Sequence, residues 1–301
     1  MGKIVSTPDE RFSHLKDYPF DPHYLEVEED LRMHYVEEGP KDGPVVLLLH
    51  GEPSWSYLYR KMIPGLVEHN FRVIAPDLIG FGKSDKWVDK QAYSYQNHLD
   101  WLTTFIEQLD LNEITLFCQD WGGLLGLRLI TVLGDRFSRV VASNTALPTG
   151  NIPMPDSFMQ WREFSQHSPD FDIGKVLDMG TVQPLAEEVI AAYNAPFPSE
   201  EYKAGARVFP TLVPIHEDDK EAKNNQQAWE KLMQWEKPFL TIFGDEDRIM
   251  KGAEAVFQKL IPGAKNQKHQ ILHAGHFIQE EKGEELADLI TQFYKANTSK
   301  D

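Results

Sequence analysis

The segment 114–126 constrains the fold of this chain more than any other stretch. An apolar run rich in β-branched and aromatic residues ends at Asp120, and glycines then open a helical pattern over 124–133. This order predicts a strand, a sharp turn and a helix. Cys118 and Gly122 supply small side chains that let strand and helix approach closely, while the central residue projects from the turn. The pattern indicates a nucleophile elbow that exposes the carboxylate of Asp120.

Strand-like and helix-like segments alternate on both sides of this turn. The run Val45–Leu49 is apolar throughout, as expected for a strand covered on both faces. Such alternation predicts a mostly parallel central sheet flanked by helices, joined by right-handed crossovers. Further strands are predicted at 31–35, 72–76, 139–143, 238–243 and 268–272, and helices at 57–68, 96–109, 253–260 and 284–294.

The pattern changes between residues 148 and 235. Nine prolines punctuate short helical pieces there, and no strand of comparable strength is predicted. We interpret this segment as an inserted helical cap domain. The core domain is then predicted to comprise residues 1–147 and 236–301.

Charge and cysteine usage narrow the classes of function. A net charge of −17 repels nucleic acids and anionic membrane surfaces, so neither is an expected partner. Cys118 is the only cysteine in the sequence, which excludes an intramolecular disulfide and favours a cytoplasmic location. No run of about 18 apolar residues occurs, so no membrane-spanning segment is expected.

The glycine-rich loop 77–85 resembles a phosphate-binding loop but lacks the required spacing. Asp77 stands where a Walker A motif needs its first glycine, and Asp85 stands where a dinucleotide fingerprint needs its third. A nucleotide cofactor is therefore not expected. With one cysteine there is also no cysteine-based metal cluster, and we expect neither cofactor nor metal.

Three candidate catalytic positions follow predicted strands in a defined order. Asp120 comes first, an aspartate within 244–247 comes second, and His276 follows the last strand. This is the order nucleophile, acid, histidine of α/β-hydrolases, whose active groups gather at the carboxyl ends of the strands. His273 is an alternative on the same loop. His50 is expected to brace a neighbouring loop and not to titrate.

Three motifs together resemble the haloalkane dehalogenases, specifically the subfamily with glutamate after His-Gly. They are Gln119–Gly123, His50–Met62 and Ala274–Glu280, and the similarity extends over nearly the whole chain. The resemblance implies an α/β-hydrolase fold with a cap and a small halogenated alkane as substrate. It also implies water as co-substrate, halide as product and, as is frequent in the family, a monomer.

The family's chemistry assigns roles to the three catalytic positions. Asp120 would attack the carbon of a carbon–halogen bond and form an alkyl ester. His276 would then take a proton from the water that hydrolyses this ester. Alignment with the family motif favours Asp247 over Asp245 as the residue that holds the imidazole.

The resemblance also assigns the groups around the reacting atoms. The indole N–H groups of Trp121 and Trp161 would bind the halide, with Trp229 and Trp235 as alternatives to Trp161. Backbone N–H groups of Trp121 and Glu52 would stabilise the oxyanion. The Glu52 side chain is expected to raise one carboxyl pKa at the site and not to act as the base. The substrate pocket is expected to be lined by Leu124, Phe158, Phe209, Pro210, Val213, Ile249 and Met250.

Two other hypotheses share the predicted fold. An epoxide hydrolase has the same aspartate nucleophile and histidine–aspartate pair, but it protonates the oxirane oxygen, normally with cap tyrosines. Tyr193 and Tyr202 lie in the predicted cap. A ligand-binding protein with a dead hydrolase site is the hypothesis from another class, and the complete triad argues against it. A serine esterase is disfavoured because the elbow carries no serine.

Overall fold

The computed structural model describes residues 2–298, which form an eight-stranded sheet and a separate two-stranded sheet. The order of the large sheet is β10-β9-β8-β7-β4-β5-β3-β2, and all neighbours are parallel except at β3, which is antiparallel to β5 and β2. The predicted mostly parallel sheet is confirmed. The strands are β1 Ile4–Val5, β2 His23–Glu28, β3 Leu31–Glu38, β4 Val45–Leu49, β5 Arg72–Pro76, β6 Lys86–Trp87, β7 Ile114–Gln119, β8 Phe137–Ser143, β9 Phe239–Gly244 and β10 Gln270–Leu272.

Helices flank the sheet, and five of those described lie in the segment between β8 and β9. Those outside this segment are α1 Ile63–Glu68, α2 Tyr95–Gln108, α3 Trp121–Val132, α9 Glu254–Leu260 and α10 Ile278–Ala296. Those within it are α4 Asp156–His167, α5 Ile173–Met179, α6 Glu187–Asn194, α7 Ala204–Leu212 and α8 Lys220–Leu232. Among the described helices none is long and apolar enough to cross a membrane.

The elbow is built as its sequence predicts. Strand β7 is buried along its whole length between β4 and β8, and α3 begins directly after Asp120. Asp120 has φ 51° and ψ −124°, a strained conformation for a residue with a side chain. A side chain at Gly122 would overlap the carbonyl oxygen of Leu49, so glycine is needed for this close approach.

Several details of the fold differ from the sequence-based expectation, and three of them concern the longer elements. The edge strand β2 was not predicted, because its exposed glutamates Glu26 and Glu28 gave it the appearance of a solvated acidic run. The helix predicted over 57–68 is divided into a 3-10 turn and α1, since Pro64 cannot continue a helix from upstream. The last helix starts six residues earlier than predicted and is kinked at Lys282.

Candidate active site

The carboxylate of Asp120 is held between two loops at the carboxyl edge of the sheet. Its Oδ1 atom accepts a hydrogen bond of 2.7 Å from the backbone N–H of Glu52. Its Oδ2 atom lies 3.4 Å from Nε2 of His276. The Asp120 main chain is fixed as well, because its carbonyl oxygen accepts from the Thr145 hydroxyl at 2.8 Å. The two carboxylate oxygens therefore have different surroundings, one facing a backbone donor and the other facing the imidazole.

Asp247 orients the imidazole of His276. The Nδ1–H group of His276 donates to Asp247 Oδ2 over 2.8 Å, and Asp247 is almost completely buried. The other oxygen, Oδ1, accepts the backbone N–H groups of Ile249 at 2.8 Å and Met250 at 3.1 Å. With Nδ1 engaged in this way, Nε2 is the ring nitrogen that faces Asp120.

Asp245 and His273, the alternatives to Asp247 and His276, form a pair with each other at the surface. Nδ1 of His273 lies 3.1 Å from Asp245 Oδ1, and both side chains are exposed. Glu246 lies beside this pair, and the three side chains are close enough together to bind a metal ion. The structure thus brings Asp247, and not Asp245, beside His276.

Two buried polar residues that the sequence analysis missed hold the histidine loop. The side-chain amide of Asn144 donates to the carbonyl oxygens of Gly275 and His276, at 2.9 Å each. The side-chain amide of Gln119 donates to the same carbonyl oxygen of His276 at 3.2 Å. The amide nitrogen also lies 3.1 Å from the Nε2 atom of the His276 ring. Both residues stand at the carboxyl ends of central strands, where a polar residue after an apolar run is a signal that could have identified them.

The carboxylates on either side of His276 change its titration. Burial lowers the pKa of His276, but the carboxylates of Asp247 and Asp120 outweigh burial and raise the pKa to about 10. These neighbouring carboxylates therefore favour the charged form of the imidazole at neutral pH. Because the pKa of His276 is higher in the folded protein than in the unfolded chain, protonation of His276 stabilises the fold. This stabilisation is complete below the unfolded pKa of about 6.5, and it is lost as the pH rises through about 10.

Removing the charge of Asp120 is expected to lower the pKa of His276. In the Asp120→Ala variant one of the two neighbouring carboxylates is gone, while the hydrogen bond to Asp247 remains. NMR titration of the His276 ring in both proteins measures the shift. An unchanged pKa in the variant would contradict the coupling between these side chains.

Glu52 adds a second carboxyl group beside Asp120. Burial and the negative charge of Asp120 raise the pKa of Glu52 well above its usual range, against smaller opposing effects of Trp161 and His276. The backbone N–H of Glu52 points to Asp120, while its side-chain Oε1 has no hydrogen-bond partner within residues 2–298. The side chain is therefore favoured in its neutral, protonated form.

An apolar cavity of about 190 Å³ opens over Asp120, beneath helices α4, α5 and α7. Its titratable groups are Glu52, Asp120 and His276. The predicted pocket residues that line it are Leu124, Phe158, Pro210, Val213, Ile249 and Met250. The lining residues that were not predicted are Pro53, Ala146, Pro148, Met154, Val176, Met179, Gly180 and Phe277.

Phe209 does not line the cavity, contrary to the sequence-based expectation. It is fully buried and packs edge-on against Trp121, with ring centroids 4.6 Å apart. Successive residues of a helix point in directions about 100° apart. Helix α7 therefore turns Pro210 into the cavity and Phe209 against the Trp121 ring.

Two tryptophans line the cavity, and they are Trp121 and Trp161. The indole N–H of Trp229 donates to the carbonyl oxygen of Leu147 at 2.9 Å, away from the cavity. Trp235 packs near Lys237 and is also outside the lining. The two alternatives to Trp161 are thus directed elsewhere.

The two tyrosines of the predicted cap, Tyr193 and Tyr202, do not line the cavity either. Tyr193 is fully buried and donates its hydroxyl to the carboxylate of Glu280. Tyr202 packs against the hydrophobic core, and no tyrosine of the described residues lines the cavity. A tyrosine that could protonate an oxirane oxygen is therefore missing from the cavity lining that the structure describes.

His50 braces the loop that carries Glu52. Its Nδ1–H donates to the carbonyl oxygen of Gly51 and its Nε2 accepts the backbone N–H of Leu78, both at 2.9 Å. Burial lowers the pKa of His50, which keeps the ring neutral and suited to accept this bond. The expected structural role agrees with these contacts.

A strained elbow after a central parallel strand, with an imidazole facing its carboxylate, places the chain among the α/β-hydrolases with a carboxylate at the nucleophile position. The sequence profile of the family described as alpha/beta hydrolase fold matches residues 44–283. A haloalkane dehalogenase of Psychrobacter cryohalolentis is 54% identical over 300 residues, covering 98% of this chain and 99% of that protein. One from Mycolicibacterium paratuberculosis is 50% identical over 297 residues, covering 97% of this chain and 99% of that protein.

A solved structure agrees with the sequence relatives. The tetrameric haloalkane dehalogenase DpaA from Paraglaciecola agarilytica NO2 superimposes with a TM-score of 0.89 at 36% identity, covering 96% of this chain and 97% of that one. This chain belongs to the haloalkane dehalogenase family and is a hydrolase. The resemblance to the haloalkane dehalogenase family, inferred from the three sequence motifs, is confirmed.

Proposed function

We propose that this enzyme converts halogenated alkanes and water into alcohol, halide and a proton through a covalent ester on Asp120. The observation that carries the proposal is the environment of this carboxylate. It faces an apolar cavity that also presents the indole rings of Trp121 and Trp161. A carboxylate with little water around it is a stronger nucleophile toward an apolar substrate.

In the first step an oxygen of Asp120 attacks the carbon that bears the halogen. The new carbon–oxygen bond forms as the carbon–halogen bond breaks, and the halide leaves with the bonding electrons. Oδ2 is the better placed nucleophile, since Oδ1 already accepts the Glu52 N–H. The departing anion needs hydrogen-bond donors but no proton, and indole N–H groups are donors without a competing acceptor.

In the second step water attacks the carbonyl carbon of the ester and His276 takes its proton. Esterification removes the negative charge of Asp120, so the pKa of His276 falls and a neutral imidazole can act as base. Asp247 then stabilises the imidazolium. Collapse of the tetrahedral intermediate breaks the bond between the carbonyl carbon and the alkoxy oxygen, so that the alcohol leaves with a proton from the imidazolium and Asp120 is free of the alkyl group. The oxyanion forms on the carboxyl oxygen that the N–H of Glu52 already contacts, and we assign the backbone N–H of Trp121 as the second donor.

Replacing Trp161 with phenylalanine is expected to lower kcat/KM for 1-bromobutane about 100-fold, because one donor to the departing halide is lost. Steady-state halide release measures the effect. Trp235→Phe is the matched control, since its buried indole N–H has no partner in the described chain and lies outside the cavity. Equal activity of the two variants would remove Trp161 from the halide site.

Assays of halide release and of epoxide opening distinguish a haloalkane dehalogenase from an epoxide hydrolase and from a binding protein without activity. The enzyme should release bromide from 1-bromobutane and 1,2-dibromoethane, and it should not open styrene oxide. Opening of styrene oxide without halide release would support an epoxide hydrolase. Absence of both activities, over a broad panel of haloalkanes, would support a binding protein with a dead site.

We also propose that residues 148–235 act as a cap domain over a core of residues 1–147 and 236–301. Its helices α4, α5 and α7 contribute Trp161, Val176 and Pro210 to the cavity wall, which supports this division. A cytoplasmic monomer is proposed for the assembly, although the similar DpaA structure is tetrameric. Light scattering during size-exclusion chromatography distinguishes the two states.

A further inference from the structure

A carboxylate outside the catalytic group bonds to two separate parts of the chain. Glu281 lies in the first turn of α10, and its Oε2 accepts the backbone N–H of Gly275 at 2.7 Å. Its Oε1 accepts the backbone N–H groups of Val182 at 2.9 Å and Gln183 at 3.2 Å. One side chain thus bridges the loop that carries His276 and the segment that follows α5.

The two bridged segments also contact each other directly. The carbonyl oxygen of Gly180 accepts the backbone N–H of His276 at 2.7 Å and that of Phe277 at 3.3 Å. A side chain at Gly275 would overlap this oxygen, so glycine is required where the segments meet. Gly180, His276 and Phe277 all line the cavity. The joined segments therefore form one wall of the cavity together with the imidazole.

Each segment keeps anchors that do not involve Glu281. The carboxylate of Asp178 accepts the Leu185 N–H at 2.6 Å, and the Asp178 carbonyl accepts the Thr181 hydroxyl at 2.9 Å. On the other side, Asn144 holds the carbonyl oxygen of Gly275. Loss of the Glu281 carboxylate is therefore expected to weaken the coupling between the two segments, which the Gly180 carbonyl still joins, without unfolding either of them.

We propose that Glu281 is a positioning residue that couples the cap segment 180–183 to the histidine loop 275–277 and thereby supports hydrolysis of the alkyl-enzyme. This inference rests on the proposed function. Formation of the ester requires Asp120 and donors to the halide, whereas its hydrolysis requires His276 within hydrogen-bond reach of water. A displacement of about 1 Å at such a group can slow a step about 100-fold. Glu281 acts through the backbone on either side of His276 and does not touch the reacting atoms.

Rapid-quench intact mass spectrometry tests the proposal by measuring formation and decay of the alkyl-enzyme separately. In Glu281→Ala, decay should slow about tenfold while formation stays within about twofold of the wild type. Glu281→Gln should slow decay less, because its amide oxygen can still accept from Val182 and Gln183. Glu284→Gln, an exposed position on the same helix, is the matched control and should match the wild type. Equal slowing of both steps, or of neither, would overturn the proposal.

Hydrogen exchange tests the coupling independently of catalysis. Peptides that cover 180–183 and 275–277 should lose protection together in Glu281→Ala, while strand β7 keeps its protection. Unchanged exchange in either segment would overturn the proposed coupling. A wild-type enzyme that forms no alkyl-enzyme would instead refute the proposed function, so the two failures are distinguishable.

Discussion

Replacing Asp120 with alanine is expected to reduce halide release at least about 10⁴-fold, because the variant has no carboxylate to attack carbon. The indole groups of Trp121 and Trp161 are expected to keep their places in the cavity of this variant, so it should still bind halide. Steady-state halide release from 1-bromobutane measures the loss, and bromide inhibition or binding shows whether the cavity persists. A variant that still binds bromide but releases none separates loss of chemistry from loss of fold.

The matched control for this variant is Asp245→Ala. Asp245 is an exposed aspartate that pairs with His273, and its replacement should leave turnover within about twofold of the wild type, as for most surface positions. Substantial dehalogenation by Asp120→Ala would contradict the covalent scheme. It would mean that water attacks the substrate directly, with His276 or Glu52 as base.

Replacing His276 with glutamine is expected to stop the reaction after the first step. Each active site should release one halide and then retain the alkyl group, because the ester on Asp120 lacks a base to activate water. Multiple turnover should fall between about 10²- and 10⁴-fold. Intact mass spectrometry after mixing with 1-bromobutane should show the protein heavier by one butyl group.

His273→Gln provides the control for this second variant, since His273 lies on the same loop but is exposed and pairs with Asp245. It should turn over normally and accumulate no ester. Normal turnover of the His276 variant would refute the two-step scheme. Release of no halide at all in the first turnover would instead place His276 in the alkylation step.

The elbow and the order of the active groups were predictable because they depend on local chemistry. An apolar run, a turn and small flanking residues define Asp120, and polar residues at the ends of parallel strands must gather at one edge of the sheet. The choice between Asp245 and Asp247 could not be made from local chemistry. They lie two residues apart on one loop, and position in the sequence alone does not determine which of them turns toward His276.

The other differences between sequence and structure arise from orientation. Phe209 and Pro210 are adjacent, and the proline-rich pattern of the cap does not reveal which face of α7 meets the cavity. Asn144 and Gln119 act on the main chain of the histidine loop, so their role depends on contacts between distant segments. The link through Glu281 has the same origin, because it joins residues almost 100 positions apart.

At position 120, a substitution that increases thermal stability is expected to abolish activity, because of the backbone conformation of Asp120. Its positive φ costs about 1–3 kcal/mol for a residue with a side chain, and glycine would relieve much of that cost. A screen that rewards only resistance to heat would therefore accept glycine at this position and discard the carboxylate that we propose as the nucleophile. Directed evolution of this enzyme should hold residue 120 constant and seek its stabilising substitutions elsewhere.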